Sequence, residues 1–167
     1  KLLEGLLRGP DIAYILRPLE NYNNFALRFG SIPEPGNLLF WEKSFELDGV
    51  MLRIRGVNSA IVSNVGDHEN NAKLVLGSHQ SVMQRHAGVV NVILCHHPPS
   101  WLCDGEQANQ EFKNRARIHL FGHKHVFDAS VVEGRCLVLA AGAMHPERAE
   151  SKWEPTYNII DLSIERE

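Results

Sequence analysis

Short apolar runs, each bounded by glycine, proline or a polar cluster, recur along the chain and predict helices giving way to a series of short strands. Leu2-Leu3 and Leu6-Leu7 open a helical pattern over residues 1–29, interrupted at Gly9-Pro10 and at Pro18 because proline lacks an amide donor and clashes with the preceding turn. Gly30 to Gly36, with Pro33 and Pro35, reads as a loop. From Leu39 the pattern becomes extended. Phe45-Glu46-Leu47 and Val50 to Arg55 flank Asp48-Gly49, a dipeptide suited to a tight hairpin turn. Ala60 to Ser63 is a further short apolar run, and the polar stretch Asn64 to Ala72 reads as an exposed loop. Ser78 to Ala87 predicts a short helix, Val89 to Cys95 a buried strand, Glu106 to Ala116 a helix and Ile118 to Phe121 another strand. Val131-Val132, Leu137 to Ala140 and Tyr157 to Ile164 complete a β-rich end.

Composition places this pattern in one globular domain with a sizeable core: 167 residues, 44% hydrophobic and 22% charged. No apolar stretch reaches the roughly 18–20 residues that cross a bilayer, and no basic-then-apolar leader opens the chain, so no membrane partner and a cytoplasmic location are expected. A net charge of −3 argues against phosphate-backbone binding by bulk charge. Cys95, Cys103 and Cys136 are odd in number and irregularly spaced, which speaks against a disulfide framework. The sequence starts at Lys1 and enters a helical pattern at once, so further sequence is expected upstream.

The chemistry is concentrated in two histidine clusters: Cys95-His96-His97-Pro98-Pro99 and Gly122-His123-Lys124-His125, each at the end of a predicted strand. Strand ends are rigid, and neutral imidazole suits transition metals such as Zn, Fe and Mn. In an α/β sheet with parallel strands both loops leave the same edge, where such folds place their sites. The two histidines of Gly-His-x-His are too close to share a helix face, and Gly122 lets the backbone turn without crowding a metal.

Leu94-Cys95-His96-His97-Pro98-Pro99 followed by Leu120-Phe121-Gly122-His123-Lys124-His125 resembles the last two motifs of the calcineurin-like metallophosphoesterases. Weaker similarities lie in Gly56-Val57-Asn58-Ser59-Ala60, in Leu76-Gly77-Ser78-His79-Gln80 and in Tyr157-Asn158-Ile159-Ile160-Asp161-Leu162. The resemblance implies a four-layer α/β/β/α sandwich, represented by its second half over residues 37–167, with residues 1–36 as a helical connection or cap. It implies hydrolysis of a phosphomonoester or phosphodiester by water activated at a pair of divalent metal ions, Mn, Fe, Zn or similar. Carried over by position, His96, His123 and His125 are the metal ligands. His97, also followed by proline, competes with His96 and ranks second as a catalytic residue contacting substrate. A nucleotide or nucleic acid is among the substrates this chemistry accommodates.

The departures from that family are large. Its Asp-x-His, Gly-Asp-x-x-Asp and Gly-Asn-His-Asp/Glu motifs are missing, and Gly66-Asp67-His68-Glu69-Asn70 reads as an ordinary turn-rich loop. The missing upstream half of the domain is therefore an expected partner, and the chain alone is expected to have little or no activity. The alternative is a non-catalytic phosphoesterase-like module that binds or regulates; a third reading is a mononuclear zinc hydrolase with three histidines. Of the other histidines, His119 reads as a core or supporting residue within a strand, His79 and His86 as helix surface, and His145 as a residue of a glycine-rich loop. Cys95 reads as a small buried apolar residue, and Trp101 as packing beside the cleft. Lys113, Arg115 and Arg117 read as a helix end or solvated face.

Overall fold

The computed structural model describes residues 5–7, 9–29, 39–67, 73–144 and 155–163. Within them the chain is an α/β fold on one six-stranded mixed sheet. Its strands are β1 (Phe40–Leu47), β2 (Val50–Val57), β3 (Val89–Cys95), β4 (Ile118–Phe121), β5 (Asp128–Val132) and β6 (Cys136–Ala140), in the spatial order β1-β2-β3-β4-β6-β5. The four central strands run parallel, and β1 and β5 are antiparallel edges. The β1–β2 hairpin turns where expected, with Asp48 and Gly49 both at positive φ, 48° and 82°.

The register aligns the carboxyl ends of the four parallel strands. Val57 is opposite Cys95, Cys95 is opposite Phe121, and Phe121 is opposite Ala140. Residues two positions past these partners therefore leave the sheet at one level, on chains about 4.8 Å apart. They are Ser59, His97, His123 and Gly142.

One face of the sheet carries the core. Ile93 and Cys95 of β3 and Phe121 of β4 pack against Leu74, Leu76, Met83, Leu102, Ala108 and Phe112, the last two from α4 (Gly105–Arg115). Phe112 and Ile93 are fully buried, and each such side chain stabilises the fold by about 1.5–3 kcal/mol. Asp104 ties the start of α4 to the strand-like segment before it, accepting the backbone N–H groups of Leu76 and Gly77 at 3.1 and 2.7 Å. A second cluster joins Leu7, Leu16 and Leu39 with Ile12, Leu19, Phe40 and Ile61. The segment before the sheet, with α1 (Ile12–Leu16) and α2 (Glu20–Leu27), is thereby packed onto β1; a 3₁₀ turn at Arg17–Leu19 accommodates Pro18.

Two expectations are corrected. The helix predicted over 78–87 is the four-residue α3 (Ser78–Ser81), and the chain is extended from Val82. The cause is competition for carbonyls. Arg55 takes those of Gln80 and Val82, Arg115 takes that of Met83, and Arg53 and Asn91 share that of Gln84. His86 is thus exposed on irregular chain, while His79 is on the surface of α3 as expected. The strand predicted over 157–164 has no ladder partner in its described part, 157–163. The loop Gly30 to Gly36, His68 to Ala72, His145 and Ile164 lie outside the described residues. Among the described residues no helix is long and apolar enough to cross a membrane, and all three cysteines are free.

Candidate metal centre

The loops after β3 and β4 are tied together before they diverge: the Gly122 N–H donates to the carbonyls of Cys95 and His96 at 3.3 and 3.1 Å. A Cβ on Gly122 would meet His96 Nδ1 at 3.2 Å, so the missing side chain is what lets the two histidine loops approach. Past Gly122, His123 and His125 take positive φ, 69° and 54°, and the Lys124 N–H closes a tight turn onto the Gly122 carbonyl at 2.8 Å. Left-handed backbone at two non-glycine residues is costly and clusters at functional sites.

This geometry brings together His96, His97 and His123, each offering one ring nitrogen, all within 4.8 Å of one another. His123 Nδ1 is 3.0 Å from His96 Nε2, and the His97 and His123 ring centroids are 4.5 Å apart. His97 is buried, His123 half-buried and His96 exposed, so the cluster opens to solvent on the His96 side. Trp101 closes the opposite side, edge-on to His123 at 4.3 Å and stacked on His97 at 5.8 Å. Its indole Nε1 is buried without a hydrogen-bond partner among the described residues.

Electrostatics favour neutral rings. Desolvation lowers His96, His97 and His123; His125 adds to the lowering at His96, and His96 and His125 add to it at His123, while His97, lowered further by His123 and His96 and opposed by Asp67, is held at about 4. Metal ligation requires an unprotonated imidazole nitrogen, so the donor set fits a divalent transition metal at neutral pH. Burial pushes the Cys95 thiol up to about 11, and its Sγ is occupied by the His97 carbonyl at 3.1 Å. Cys95 is a packing residue, as read from the sequence.

Of the four histidines singled out, three form the group, and His125 lies outside it while lowering the pKa of His96 and His123. His125 is exposed, with its ring centroid 6.5 Å from that of His123. His97 is instead the buried member of the group. Asp67 closes a local turn through Ser63 and Asn64, as the loop reading expects. His119 is fully buried beside Phe112 and Phe121 and belongs to the core. The residue that sequence reasoning missed is Ser59, whose hydroxyl is 2.8 Å from His97 Nδ1. A serine after a strand carries no spacing signal; only the register of β2 against β3 brings it there.

No protein-family model and no curated protein matches this chain.

Proposed function

We propose that the chain belongs to a metal-dependent phosphoric ester hydrolase of the calcineurin-like type, in which His96, His97 and His123 hold a divalent cation. The observation that carries this reading is the convergence of three neutral imidazoles from the carboxyl ends of adjacent parallel strands. When bound, a divalent cation supplies Lewis acidity, drawing charge from phosphoryl oxygens and making water more acidic. The chain's own residues do the rest. Ser59 fixes the His97 ring, Gly122 permits the approach of the loops, and Trp101 excludes water from one side. A cleft of about 400 Å³ lies beside the cluster, walled by Pro98, Pro99 and Phe121 and edged by Lys113, Lys124 and Asp128.

A four-layer sandwich also accounts for the sheet face opposite the core. Leu94 is 41% exposed there, and a groove of about 590 Å³ runs between Trp41, Leu120, Leu139, Tyr157 and Ile160. In such a sandwich a second sheet covers that face.

A second reading, a mononuclear three-histidine zinc centre, is favoured by a group that, among the described residues, is made of histidines alone. Metal content per chain, measured on the intact natural protein for wild type and His123→Ala beside hydrolysis of p-nitrophenyl phosphate and its bis ester, separates the readings. Two ions per chain and ester cleavage support the dinuclear enzyme. One ion with cleavage supports the mononuclear centre. Metal without cleavage leaves a binding module, and no histidine-dependent metal overturns the site.

A further inference from the structure

The amino ends of the parallel strands carry a second concavity, which the proposed function does not use. A cleft of about 290 Å³ is lined by Arg85, Lys113, Arg115, Arg117, Arg135 and Asn91. Arg85 comes from the extended segment before β3, Lys113 and Arg115 from the end of α4, Arg117 from the approach to β4 and Arg135 from the β5–β6 turn. It lies at the far end of β3 from the histidines, a seven-residue strand, so the two sites are separated by roughly 20 Å. Arg115 and Arg117, which read as a helix end or solvated face, line this concavity alone, whereas Lys113 lies between it and the cleft beside the histidines.

The charge balance in this cleft is unequal. Lys113 and Arg135 share one carboxylate, Glu133, at 3.2 and 3.0 Å, and Arg115 pairs with Glu111. Neither glutamate lines the cleft. Arg117 donates to the Arg135 carbonyl at 3.4 Å and has no carboxylate among the described residues. Arg85 has neither an ion pair nor a hydrogen bond among them. Five cations thus converge from four segments of the chain against two carboxylates among the described residues, in a chain whose net charge is −3. Their mutual repulsion is relieved by an anion seated among them.

We propose that this cleft binds a small, multiply charged phosphate anion, free or as the di- or triphosphate tail of a nucleotide. Guanidinium groups match phosphate oxygens in forked geometry, and the arrangement of arginines around a concavity suits a tetrahedral ligand approached from several sides. The volume sits at the lower bound of small-molecule pockets, about 300 Å³.

The test is a ¹H–¹⁵N NMR titration of the full chain with inorganic pyrophosphate, in chelator so that no metal mediates binding. Expected are saturable shifts at the amides of Lys113, Arg117 and Arg135, with those of His97 and His123 unmoved. Arg85→Gln combined with Arg117→Gln weakens binding by at least about tenfold, since each removes a charge-assisted contact. Both arginines are exposed, so the wild-type amide pattern is retained. Should the pair perturb it, Arg85→Gln alone serves, because Arg85 supports no other group. ADP binding as tightly as pyrophosphate identifies the phosphate tail as the recognised part; tighter binding of ADP, with shifts extending beyond the cleft, overturns the small-anion assignment. So do an absence of saturation, shifts confined to the histidine loops, or an affinity unchanged by the substitutions.

Discussion

One hydroxyl serves His97 twice: Ser59 Oγ is 2.8 Å from His97 Nδ1 and accepts the His97 backbone N–H at 3.3 Å. Ser59 is 2% exposed, so the contact is shielded from competing water. With Nδ1 engaged by Ser59, Nε2 is left as the ligand nitrogen. Ligand histidines are generally oriented in this way through their other ring nitrogen, and loss of the partner costs about 10–100-fold in metal affinity. Ser59→Ala is therefore expected to weaken zinc binding by about that factor. It also leaves a buried N–H unpaired, lowering stability by about 1–3 kcal/mol. Chelator competition and urea denaturation measure the two effects separately. Unchanged zinc affinity in the variant would detach Ser59 from the site.

His125 provides the sharpest contrast with its neighbours. The resemblance assigns it as a ligand, whereas the structure leaves it exposed with its ring centroid 6.5 Å from that of His123. Alanine at His96, His97 or His123 is expected to reduce zinc affinity beyond the roughly 10–100-fold typical of a supporting residue. His125→Ala is expected to reduce it by less than about tenfold. Zinc titrations of the four single variants decide the matter. Equal losses at His123 and His125 would put His125 into the coordination shell and favour two ions.

How far the site was legible depended on which level of order fixed each residue. The strands β3 and β4 and the helix α4 are written locally, in apolar runs and helix-forming composition, and the structure has them at Val89–Cys95, Ile118–Phe121 and Gly105–Arg115. His96, His97 and His123 were legible for the same reason, because a histidine at the end of a buried strand points to the strand edge. Ser59 was not, since its meeting with His97 depends on the parallel pairing of Val57 with Cys95. Nor was the early end of α3, where side chains distant in sequence, Arg53, Arg55 and Arg115, claim the carbonyls that a longer helix would use. The choice left open between His96 and His97 belongs to the same class: both precede a proline or its neighbour at the end of β3, and the loop geometry brings both into one group with His123.

Gly105 couples the start of α4 to the histidine loop. A Cβ there would lie 1.9 Å from the Pro99 carbonyl oxygen, a backbone atom that cannot rotate away. Gly105→Ala must push the Pro98-Pro99-Ser100-Trp101 turn off the helix, at about 1–3 kcal/mol of overpacking. Because Trp101 stacks on His97, zinc affinity should fall along with stability. Glu106→Ala, exposed in the same turn, is the control and is expected to stay within about 0.5 kcal/mol of wild type. A Gly105→Ala protein of wild-type stability in urea would contradict the close approach.

His119 gives the fold a pH dependence of its own. The side chain is fully buried against Phe112 and Phe121; Nε2 is 3.3 Å from the Ala116 carbonyl, and Nδ1 is buried with no partner among the described residues. Burial lowers its pKa, Lys113 adds to the lowering, and hydrogen bonds to the Ala116 and Phe112 carbonyls oppose it without reversing it. The unfolded chain protonates this residue near pH 6.5, while the folded chain resists until lower pH. The unfolded state thus binds more protons below about pH 6.5, so stability is fully present above that value and is lost as pH falls toward the folded pKa. His97, held at about 4, contributes with the same sign. His119→Leu is expected to remove its own share, reducing the slope of unfolding free energy by up to about 1.4 kcal/mol per pH unit between pH 6.5 and 5. Urea unfolding in chelator across that range measures it, and parallel slopes for variant and wild type would show that His119 is charged in the folded core.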